Sequence, residues 1–498
     1  MSNRSVLLLV LHNTKALGVG FLEKALTDAG YDVTIGFFKS FSSVNPKQAT
    51  PEELELLCGL VREVNPGFIG LSVISSQYLE TVFTVNDTLR DNFDIPVVWG
   101  SVFATLFPEK CLENTKYVLR GEGEGPIVSL ADALLGGKGG IEDVPNLSYI
   151  KDGKIVHNPM APLCANLDEL GYPAIGGKNR YFINAGKMTK GDPMLDSMSY
   201  ETSASRGCPF NCSYCCSSNL RKVYAGQKYL RFRSVDSLMT ELVEAKSKLK
   251  KLKYIHFWDE IFSNEPGWVD EFARRYKKEI NLPFEIWVHP LMLNEDVIRK
   301  LVSVGLFQIV MGIQSGSPRV RKDIFRRNEK QEDILRAAEI FKRCKVPHVV
   351  YDFILRHDFE TWEDLKITYE LCAKLPLPFE LQLHGLNFFH GIDIVDMAIE
   401  RGLYTREELD AVMSGPMAVQ YGTYWGQDSK DDMTNFWYGL VYLTQFGSGR
   451  RMARRYAGKA DSPEAVAKLL KKYKSFAPLA RAKRIRSRLR LMVKGFFR

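Results

Sequence analysis

The chain has 498 residues, of which 45% are hydrophobic and 25% charged. This is the composition of a globular protein, and it excludes a wholly disordered, collagen-like or coiled-coil chain. At roughly 150 residues per domain, the length predicts two or three domains. No apolar run approaches the roughly 18 residues of a membrane-spanning helix. The short run at residues 6–11 lacks a signal cleavage site, so a cytoplasmic protein is expected.

The net charge of +8 is unevenly distributed along the chain. Residues 450–498 hold 17 Lys and Arg against two acidic residues, which leaves residues 1–449 at −7. This distribution argues against nucleic acid as a partner of the whole chain and directs attention to the basic tail. Three of the nine cysteines lie between Cys208 and Cys215. In a reducing compartment this crowding favours metal ligation over disulfides.

The first 140 residues alternate apolar runs with amphipathic segments, which predicts an α/β domain with a parallel, doubly wound sheet. Five strands suit a flavodoxin-like (Rossmann-like) sheet, whose ligand lies beyond the carboxyl ends of the strands. The predicted strands are 5–11, 31–37, 68–74, 95–100 and 117–121, and the predicted helices are 17–29, 51–64 and 77–92.

Residues 141–195 lose this periodicity and contain turn clusters, which predicts a linker with a small hairpin. A second β/α array follows over residues 196–395, and its six units predict a partial, TIM-like barrel with the active site at the carboxyl ends of its strands. A mainly helical region with the basic tail is expected over residues 396–498. The predicted barrel strands are 201–205, 254–258, 285–289, 308–312, 349–355 and 380–386.

The loop after the first barrel strand carries the spacing CxxxCxxC at Cys208, Cys212 and Cys215. Thiolates spaced this way on one tight loop reach three corners of an iron–sulfur cube. A fourth iron without a protein ligand is open to a substrate or cofactor, as in other open metal sites. The alternative is a set of three buried structural thiols. Cys216 lies outside the spacing and is expected to be unligated.

This loop resembles the radical S-adenosylmethionine (SAM) superfamily, with Tyr214 at the aromatic position of CxxxCx(aromatic)C. The resemblance implies a 4Fe-4S cluster held by the three cysteines and SAM bound at the open iron. It also implies SAM contacts at two strand ends, for which helix caps or solvated loops are the alternative. These contacts would be Asp259 and Glu260 near the SAM amino group, and Gln314 and Ser315 near its ribose.

A flavodoxin-like domain before a radical SAM core resembles the cobalamin-dependent branch of that superfamily. In many cobalamin-binding domains the loop Asp-x-His-x-x-Gly follows the first strand, and its His ligates cobalt. Here Asn13, Lys15 and Gly18 occupy the corresponding positions. A protonated lysine has no free lone pair, so the resemblance implies cobalamin without a histidine ligand. A nucleotide or flavin is the alternative ligand of this fold. The other implied cobalamin contacts are Ser72, Ser75, Gly100, Ser101, Gly121, Glu122 and Gly123.

The resemblance implies a class B-like radical SAM methyltransferase that methylates an unactivated carbon through a 5′-deoxyadenosyl radical and methylcobalamin. A small-molecule or lipid-like substrate and an electron donor such as flavodoxin or ferredoxin would be its partners. Two alternatives remain open. One is a cobalamin-dependent cyclase or rearrangement enzyme without methyl transfer, and the other is a non-catalytic ligand or redox sensor. The sequence identifies no catalytic side chain.

The basic tail over residues 479–497 has apolar residues at helical spacing beside a basic face, which predicts peripheral contact with the cytoplasmic face of an anionic membrane. Each basic group near such a surface contributes on the order of 1 kcal/mol. A basic helix packed on the protein's own surface and an RNA-binding tail are the alternatives. The apolar residues are Ile485, Leu489, Met492, Val493, Phe496 and Phe497, and the basic ones are Arg481, Lys483, Arg484, Arg486, Arg488, Arg490 and Lys494.

Overall fold

A parallel sheet organises the N-terminal part of the computed structural model, which describes residues 3–425 and 428–496, without the side chains at 488 and 491–496. Strands and helices alternate along this part, and the helices cover the sheet. The strand residues are therefore buried on both faces, as in other covered parallel sheets. The elements are β1 (Ser5–Leu11), α1 (Leu17–Asp28), β2 (Asp32–Phe38), α2 (Pro51–Val64), β3 (Phe68–Ser72), α3 (Leu79–Asn92), β4 (Val97–Gly100), α4 (Val102–Leu106), α5 (Pro108–Leu112), β5 (Tyr117–Leu119) and α6 (Glu124–Ala131).

The five parallel strands lie in the order β2-β1-β3-β4-β5. This is the flavodoxin-like order, and it confirms the predicted fold class of the N-terminal domain. The strand order reverses between β1 and β3, so the loops after these two strands flank the crevice in which ligands of such sheets bind.

The segment between the two β/α arrays differs from the predicted linker with one hairpin. It forms two hairpins, β6 (Leu147–Lys151) with β7 (Lys154–His157), and β8 (Arg180–Asn184) with β9 (Lys187–Lys190). The first hairpin pairs with the free edge of β5 and the second with the free edge of β2, which gives nine strands within the described residues. Both open edges of the parallel core are thereby covered.

The second array is a six-stranded parallel sheet in the order β10-β13-β14-β15-β16-β17, which confirms the predicted partial barrel. A short antiparallel pair, β11 with β12, follows the first strand. The elements are β10 (Ser199–Thr202), β11 (Ser205–Arg206), α7 (Cys216–Val223), β12 (Arg231–Phe232), α8 (Val235–Lys248), β13 (Tyr254–Phe257), α9 (Pro266–Glu279), β14 (Phe284–Val288), α10 (Glu295–Val304), β15 (Leu306–Gln314), α11 (Gln331–Arg343), β16 (His348–Ile354), α12 (Trp362–Lys374) and β17 (Glu380–His384).

Alternate residues of the barrel strands pack outward against the helices. Ile255 and Phe257 of β13 and Ile286 of β14 belong to this apolar layer. Because side chains alternate along a strand, the residues between them face the inside of the barrel. The inside is polar and aromatic, and it includes His256 and Trp287.

Seven helices complete the described chain. They are α13 (Asp393–Glu400), α14 (Arg406–Met413), α15 (Met417–Tyr424), α16 (Asp432–Leu443), α17 (Gly447–Ala457), α18 (Pro463–Tyr473) and α19 (Ala477–Phe496). This confirms the predicted helical C-terminal region. Within the described residues, no helix has the length and apolar character needed to cross a membrane.

Candidate functional site at the carboxyl ends of the barrel strands

The three-cysteine loop begins directly after β11 and ends where α7 begins. Gly207 immediately precedes Cys208 and has a φ of +93°, a region that L side chains rarely adopt. A Cβ at this position would also collide with the carbonyl oxygen of Tyr229. The glycine therefore lets the chain turn tightly into the loop, with Cys212 buried and Cys208 and Cys215 partly buried.

Hydrogen bonds to the main chain hold the loop in place. The hydroxyl of Ser218 donates to the carbonyl oxygens of Cys212 at 3.0 Å and Cys215 at 2.8 Å. The Ser213 amide donates to the carbonyl of Phe325 at 3.2 Å, and its hydroxyl donates to the carbonyl of Ile324 at 2.5 Å. These bonds fix the loop backbone from α7 on one side and from the segment after β15 on the other.

The donor chemistry of the loop fits an iron–sulfur cluster. Burial raises the pKa of Cys208 to about 12, so its thiolate form needs a compensating positive charge such as iron. Among the described residues, no three His, Cys, Asp or Glu side chains are arranged to hold a single metal ion. A four-iron cluster, in contrast, takes one thiolate at each of several separated irons.

A buried ion pair that the sequence did not indicate connects this loop to the barrel. The guanidinium of Arg327 donates to the carboxylate of Glu329 at 2.6 Å, to the hydroxyl of Tyr214 at 3.2 Å and to the carbonyl of Gly312 at 2.7 Å. Tyr214, predicted only as the aromatic position of the motif, is thereby held against the end of β15. No spacing rule could have found Arg327, because its contact with the cysteine loop is to Tyr214, 113 positions away in the chain.

Several polar atoms at this mouth have no hydrogen-bond partner among the described residues. They are His289 Nε2, Gln314 Oε1 and Glu329 Oε2, all buried, and the first and last of these lie 3.6 Å apart, beyond hydrogen-bond distance. His289 also stacks on Phe210 of the cysteine loop, with ring centroids 3.7 Å apart. Buried polar groups are normally satisfied, so these atoms fit a polar ligand such as SAM beside the cysteines.

The two acidic residues after β13 lie in different surroundings. Asp259 is buried, and it accepts hydrogen bonds from the hydroxyl of Ser205 and from the amide of Ala204, the latter at 3.1 Å. Burial raises its pKa to about 6. Asp259 thus braces the chain that enters the cysteine loop, whereas Glu260 is exposed. Their contact with the SAM amino group stays a prediction.

Gln314 and Ser315 also differ. Gln314 has a φ of +67° and interrupts the pairing of β15 with β16, which turns its side chain out of register. Ser315 is fully buried, and its carbonyl accepts a hydrogen bond from Arg321 at 2.7 Å. Of the two predicted ribose contacts, Gln314 has a side-chain oxygen without a hydrogen-bond partner among the described residues. Ser315 instead forms part of the turn that follows β15.

Loops of the N-terminal sheet face the barrel and contain the predicted cobalamin residues. The Asn13 side chain accepts from the Lys15 amide at 2.9 Å, and a Cβ added to Gly18 would meet no atom within 4 Å. Ile74 is 43% exposed, and the buried hydroxyl of Ser76 has no partner. An open, glycine- and serine-lined edge of this kind fits a large ligand. Ser72, Ser75, Gly100 and Ser101 lie on the same edge, at or just after the ends of β3 and β4.

Lys15 bridges the two domains. Its ammonium donates to Ser199 Oγ at 2.6 Å and to Glu201 Oε1 at 2.7 Å, both on β10. Glu201 also accepts a hydrogen bond from the indole of Trp258 at 2.6 Å. Lys15, which occupies the position of the cobalt-ligating His in other cobalamin-binding domains, is therefore hydrogen-bonded to a carboxylate of the barrel. The neighbouring His12 is buried, and its ring stacks on that of Tyr78 with centroids 5.2 Å apart.

The predicted cobalamin segment at Gly121–Gly123 forms a second bridge between the domains. Arg231 donates to both oxygens of the Glu122 carboxylate, at 2.6 and 3.1 Å. Arg206, next to the cysteine loop, pairs with Glu124 at 2.6 Å. The hydroxyl of Tyr224 accepts a hydrogen bond from the Glu122 amide at 2.7 Å. The carboxylate of Glu122 thus ties the N-terminal domain to the barrel. A contact of this segment with cobalamin stays a prediction.

Two further groups inside the barrel were not found from the sequence. Trp258 is 51% exposed and stacks on Trp287, with centroids 5.0 Å apart. His384 Nε2 lies 2.9 Å from the Asp352 carboxylate, and its ring stacks on Tyr424. These residues come from the segment after β13, from β14, β16 and β17, and from α15, so only the folded chain forms these contacts. They are candidates for substrate contact.

Glu360 provides a pH-dependent test of this region. Burial raises its pKa to about 8, although its carboxylate accepts the Arg356 amide at 2.8 Å. Because the folded-state pKa lies above the unfolded value of about 4.3, stability falls as pH rises from the unfolded pKa through the folded one. We expect Glu360→Gln to be more stable than the parent at pH 9 by about 1–3 kcal/mol. Denaturant unfolding at pH 6 and pH 9 measures the difference.

The exposed Glu363 gives the matched control for this prediction. Glu363→Gln should shift stability equally at both pH values. A Glu360→Gln protein that gains no stability relative to the parent between pH 6 and pH 9 would contradict a proton held on Glu360.

Comparison with known proteins places this geometry in a family. Residues 202–372 match the Radical SAM superfamily. An uncharacterised methyltransferase of Pyrococcus horikoshii is 26% identical over 64% of this chain and 67% of its own length. The cytidylyl-2-hydroxyethylphosphonate methyltransferase of Streptomyces wedmorensis is 24% identical over 63% and 64%. An anaerobic magnesium-protoporphyrin IX monomethyl ester cyclase of Cereibacter sphaeroides is 22% identical over 71% and 55%.

Two solved structures share the whole architecture. TsrM of Kitasatospora setae, a radical SAM methyltransferase with cobalamin and a [4Fe-4S] cluster bound, superimposes over 93% of this chain and 99% of its own with a TM-score of 0.65 at 16% identity. OxsB, a cobalamin-dependent SAM radical enzyme with aqua-cobalamin and SAM bound, does so over 91% and 70% with a TM-score of 0.62 at 15% identity.

Residues 202–372, which contain the three-cysteine loop, form a radical SAM domain. Over more than nine-tenths of its length, the chain has the same fold as TsrM and OxsB. The predicted family and fold class are confirmed. The alignments span about 55 to 67% of the length of the curated relatives.

Proposed function

We propose that this protein is a cobalamin-dependent radical SAM methyltransferase that methylates an unactivated carbon. The observation that carries the proposal is the apposition of two ligand-binding edges. The carboxyl edge of the N-terminal sheet is joined to the barrel that presents the three cysteines, through Lys15–Glu201 and Glu122–Arg231. Two curated relatives named as methyltransferases and the fold of TsrM support it.

Cys208, Cys212 and Cys215 would hold the 4Fe-4S cluster, and the unpartnered atoms of His289, Gln314 and Glu329 would contact SAM. When bound, the cluster and SAM supply a carbon radical, and cobalamin supplies the methyl group. The chain's own residues position these groups. Arg327 keeps the cysteine loop against β15, and the bridges between the domains hold the N-terminal sheet against the barrel.

Lys15 would lie beside cobalamin without ligating cobalt, because its ammonium already donates to Glu201 and Ser199. We therefore expect bound cob(II)alamin to lack nitrogen coordination from the protein, measured as the absence of nitrogen superhyperfine splitting in its electron paramagnetic resonance spectrum. Lys15→Ala should leave this spectrum unchanged. A wild-type splitting that disappears in Lys15→Ala would show that the lysine is a ligand.

The cyclase alternative is favoured by the relatives named as magnesium-protoporphyrin IX monomethyl ester cyclases, which cover similar parts of this chain. Such an enzyme would use the same cluster and SAM without transferring a methyl group. A sensor would use neither the cluster nor SAM for turnover, and it would leave Trp258, Trp287 and His384 without a substrate to contact.

Product analysis separates the three functions. The reconstituted protein with cobalamin would be supplied with reductant, SAM carrying a CD₃ group, and the small-molecule extract of a deletion strain. A methyltransferase should release equal amounts of 5′-deoxyadenosine and S-adenosylhomocysteine and yield a CD₃-labelled metabolite. Deoxyadenosine without S-adenosylhomocysteine would establish the cyclase or rearrangement alternative, and the absence of both products would establish the sensor.

We also propose a cytoplasmic location, a flavodoxin- or ferredoxin-like electron donor, and peripheral membrane contact through α19. On α19, Leu479, Ile485 and Leu489 are about half exposed. The packing alternative holds for one face of the helix, where Arg484 pairs with Glu380. Part of the predicted apolar and basic faces lies outside the described side chains, namely Arg488, Met492, Val493, Lys494, Phe496 and Phe497.

A further inference from the structure

Helix α19 lies across the amino-terminal ends of the barrel strands, opposite the cysteine loop. The Lys483 ammonium donates to the carbonyls of Phe379 and Gln445, the latter at 3.4 Å. Arg484 donates to Glu380 at 2.5 Å. With 3.6 residues per turn, Ala480, Lys483 and Ser487 share the face that packs on the barrel. Through its described side chains, the helix is thus anchored along one side.

A cleft of about 600 Å³ separates this helix from the barrel floor. Its floor is formed by the residues that begin three neighbouring strands, including Phe307, Pro347 and Phe379. A smaller hollow of about 190 Å³ continues the cleft past Phe307 and Pro347. The volume is in the range of small-molecule sites, and an apolar floor of this length fits a hydrocarbon chain.

Three cations border the cleft on the helix side, Lys483, Arg486 and Arg490. Within the described part of α19, Arg484 forms an ion pair with Glu380, whereas Lys483, Arg486 and Arg490 form none. Burial lowers the pKa of Lys483, which shows that its charge is poorly solvated. An anion at this rim would meet three cations that have no carboxylate partner in the part of the chain that the structure describes.

The opposite face of the helix indicates where such a ligand comes from. Ile485, 51% exposed, lies on the side of the helix away from Lys483 and Ser487, and Leu489, 52% exposed, lies one turn further on and also borders the cleft. Arg481 and Arg486 flank them on either side. A helix with this arrangement lies in the plane of an anionic bilayer, with its apolar face in the acyl region. The cleft then opens beside the phosphate layer of that bilayer.

We propose that the cleft between α19 and the barrel floor binds one phospholipid of an anionic membrane, with the acyl chain on Phe307, Pro347 and Phe379 and the phosphate at Lys483, Arg486 and Arg490. This inference rests on the proposed membrane contact of α19. It assigns a lipid site at the end of the barrel away from the cluster, so it is independent of the proposed chemistry.

Binding of a monomeric, soluble lipid distinguishes a specific lipid site from general attraction of the helix to a charged membrane surface. The full chain would be titrated by calorimetry with dihexanoylphosphatidic acid below its critical micelle concentration, and with inorganic phosphate. One variant is Arg486→Ala/Arg490→Ala, and a second is Ser487→Trp, which fills the cleft without changing charge. The matched control is Arg455→Ala/Arg481→Ala, which removes two exposed arginines that lie outside the cleft.

We expect one lipid to bind per chain, with affinity reduced about tenfold or more in both cleft variants and unchanged in the control. Sedimentation with phosphatidylcholine–phosphatidylglycerol vesicles should fall to a similar extent in the two double variants, because both lose two charges. Equal loss of dihexanoylphosphatidic acid binding in the control, binding of inorganic phosphate as tight as that of the lipid, or no binding to the parent chain would each overturn the lipid site. None of these results would alter the SAM product ratio, so failure of the lipid site and failure of the proposed function are distinguishable.

Discussion

Replacing Cys212 with alanine is expected to remove the iron–sulfur cluster and SAM cleavage together, and the same holds for Cys208 and Cys215. A cluster bound by three thiolates that loses one of them has two open irons and no longer matches the loop. Iron and sulfide analysis after anaerobic reconstitution should fall from about four irons per chain to a small residual amount. Release of 5′-deoxyadenosine from SAM should become undetectable.

Cys216 gives the control for this prediction, since it follows Cys215 directly but lies outside the spacing. Cys216→Ala should retain the cluster and the cleavage of SAM. If Cys216→Ala lost as much iron as Cys212→Ala, the assignment of the three ligands would be wrong. A parent protein with about eight irons would contradict a single cluster.

Glu122→Ala is expected to cause the largest loss of stability among the residues that join the two domains. Arg231 is 3% exposed in its side chain, and its partner Glu122 is 22% exposed. Removing the carboxylate leaves a buried guanidinium unpaired, which costs about 2–4 kcal/mol for a pair of this burial. Denaturant unfolding of the apo chain measures the loss, and proteolysis between the domains should accelerate.

A double-mutant cycle with Arg231→Ala isolates the pair. The double variant should be less destabilised than the sum of the single variants, because it leaves no unpaired charge. The exposed Glu271→Ala serves as the control and should change stability little. Additive effects of Glu122→Ala and Arg231→Ala would show that the two side chains do not act as a pair.

The Glu122–Arg231 pair should also make the free energy of unfolding depend on pH in the acidic range. Burial by itself would raise the pKa of Glu122, but the hydrogen bonds from Arg231 and the charges of Arg206 and Arg231 hold it below its usual range. Because the folded-state pKa lies below the unfolded value of about 4.3, this contribution is present above that pH. It is lost as pH falls through the lower, folded-state value.

Elements whose pattern is local were predicted closely. The bounds of β1 and α2 agree with the structure, because a continuous apolar run and a capped amphipathic repeat each define their own limits. The second hairpin of the linker was missed, since β8 and β9 carry little pattern of their own. They become strands by pairing with the free edge of β2, which exists only after the parallel sheet has formed.

The candidate site divides in the same way. The three cysteines lie within eight residues of one loop, so their spacing alone indicated an iron–sulfur site. Arg327 and Arg231 act through partners up to 113 positions away, and no local pattern marks these two residues. Asp259 and Glu122 were expected to contact cofactors, and the folded chain gives each an additional structural partner.

The sequence by itself determined the order of the two β/α arrays, the cysteine loop and the basic amphipathic tail, because each depends on residues close together in the chain. Only the tertiary structure decided which side chains meet at the barrel mouth, that Lys15 reaches Glu201, and that α19 packs one face on the barrel floor while Ile485 and Leu489 stay exposed. Such contacts depend on how the strands and helices are placed in space. That placement is fixed by burial over the whole core rather than by any one segment.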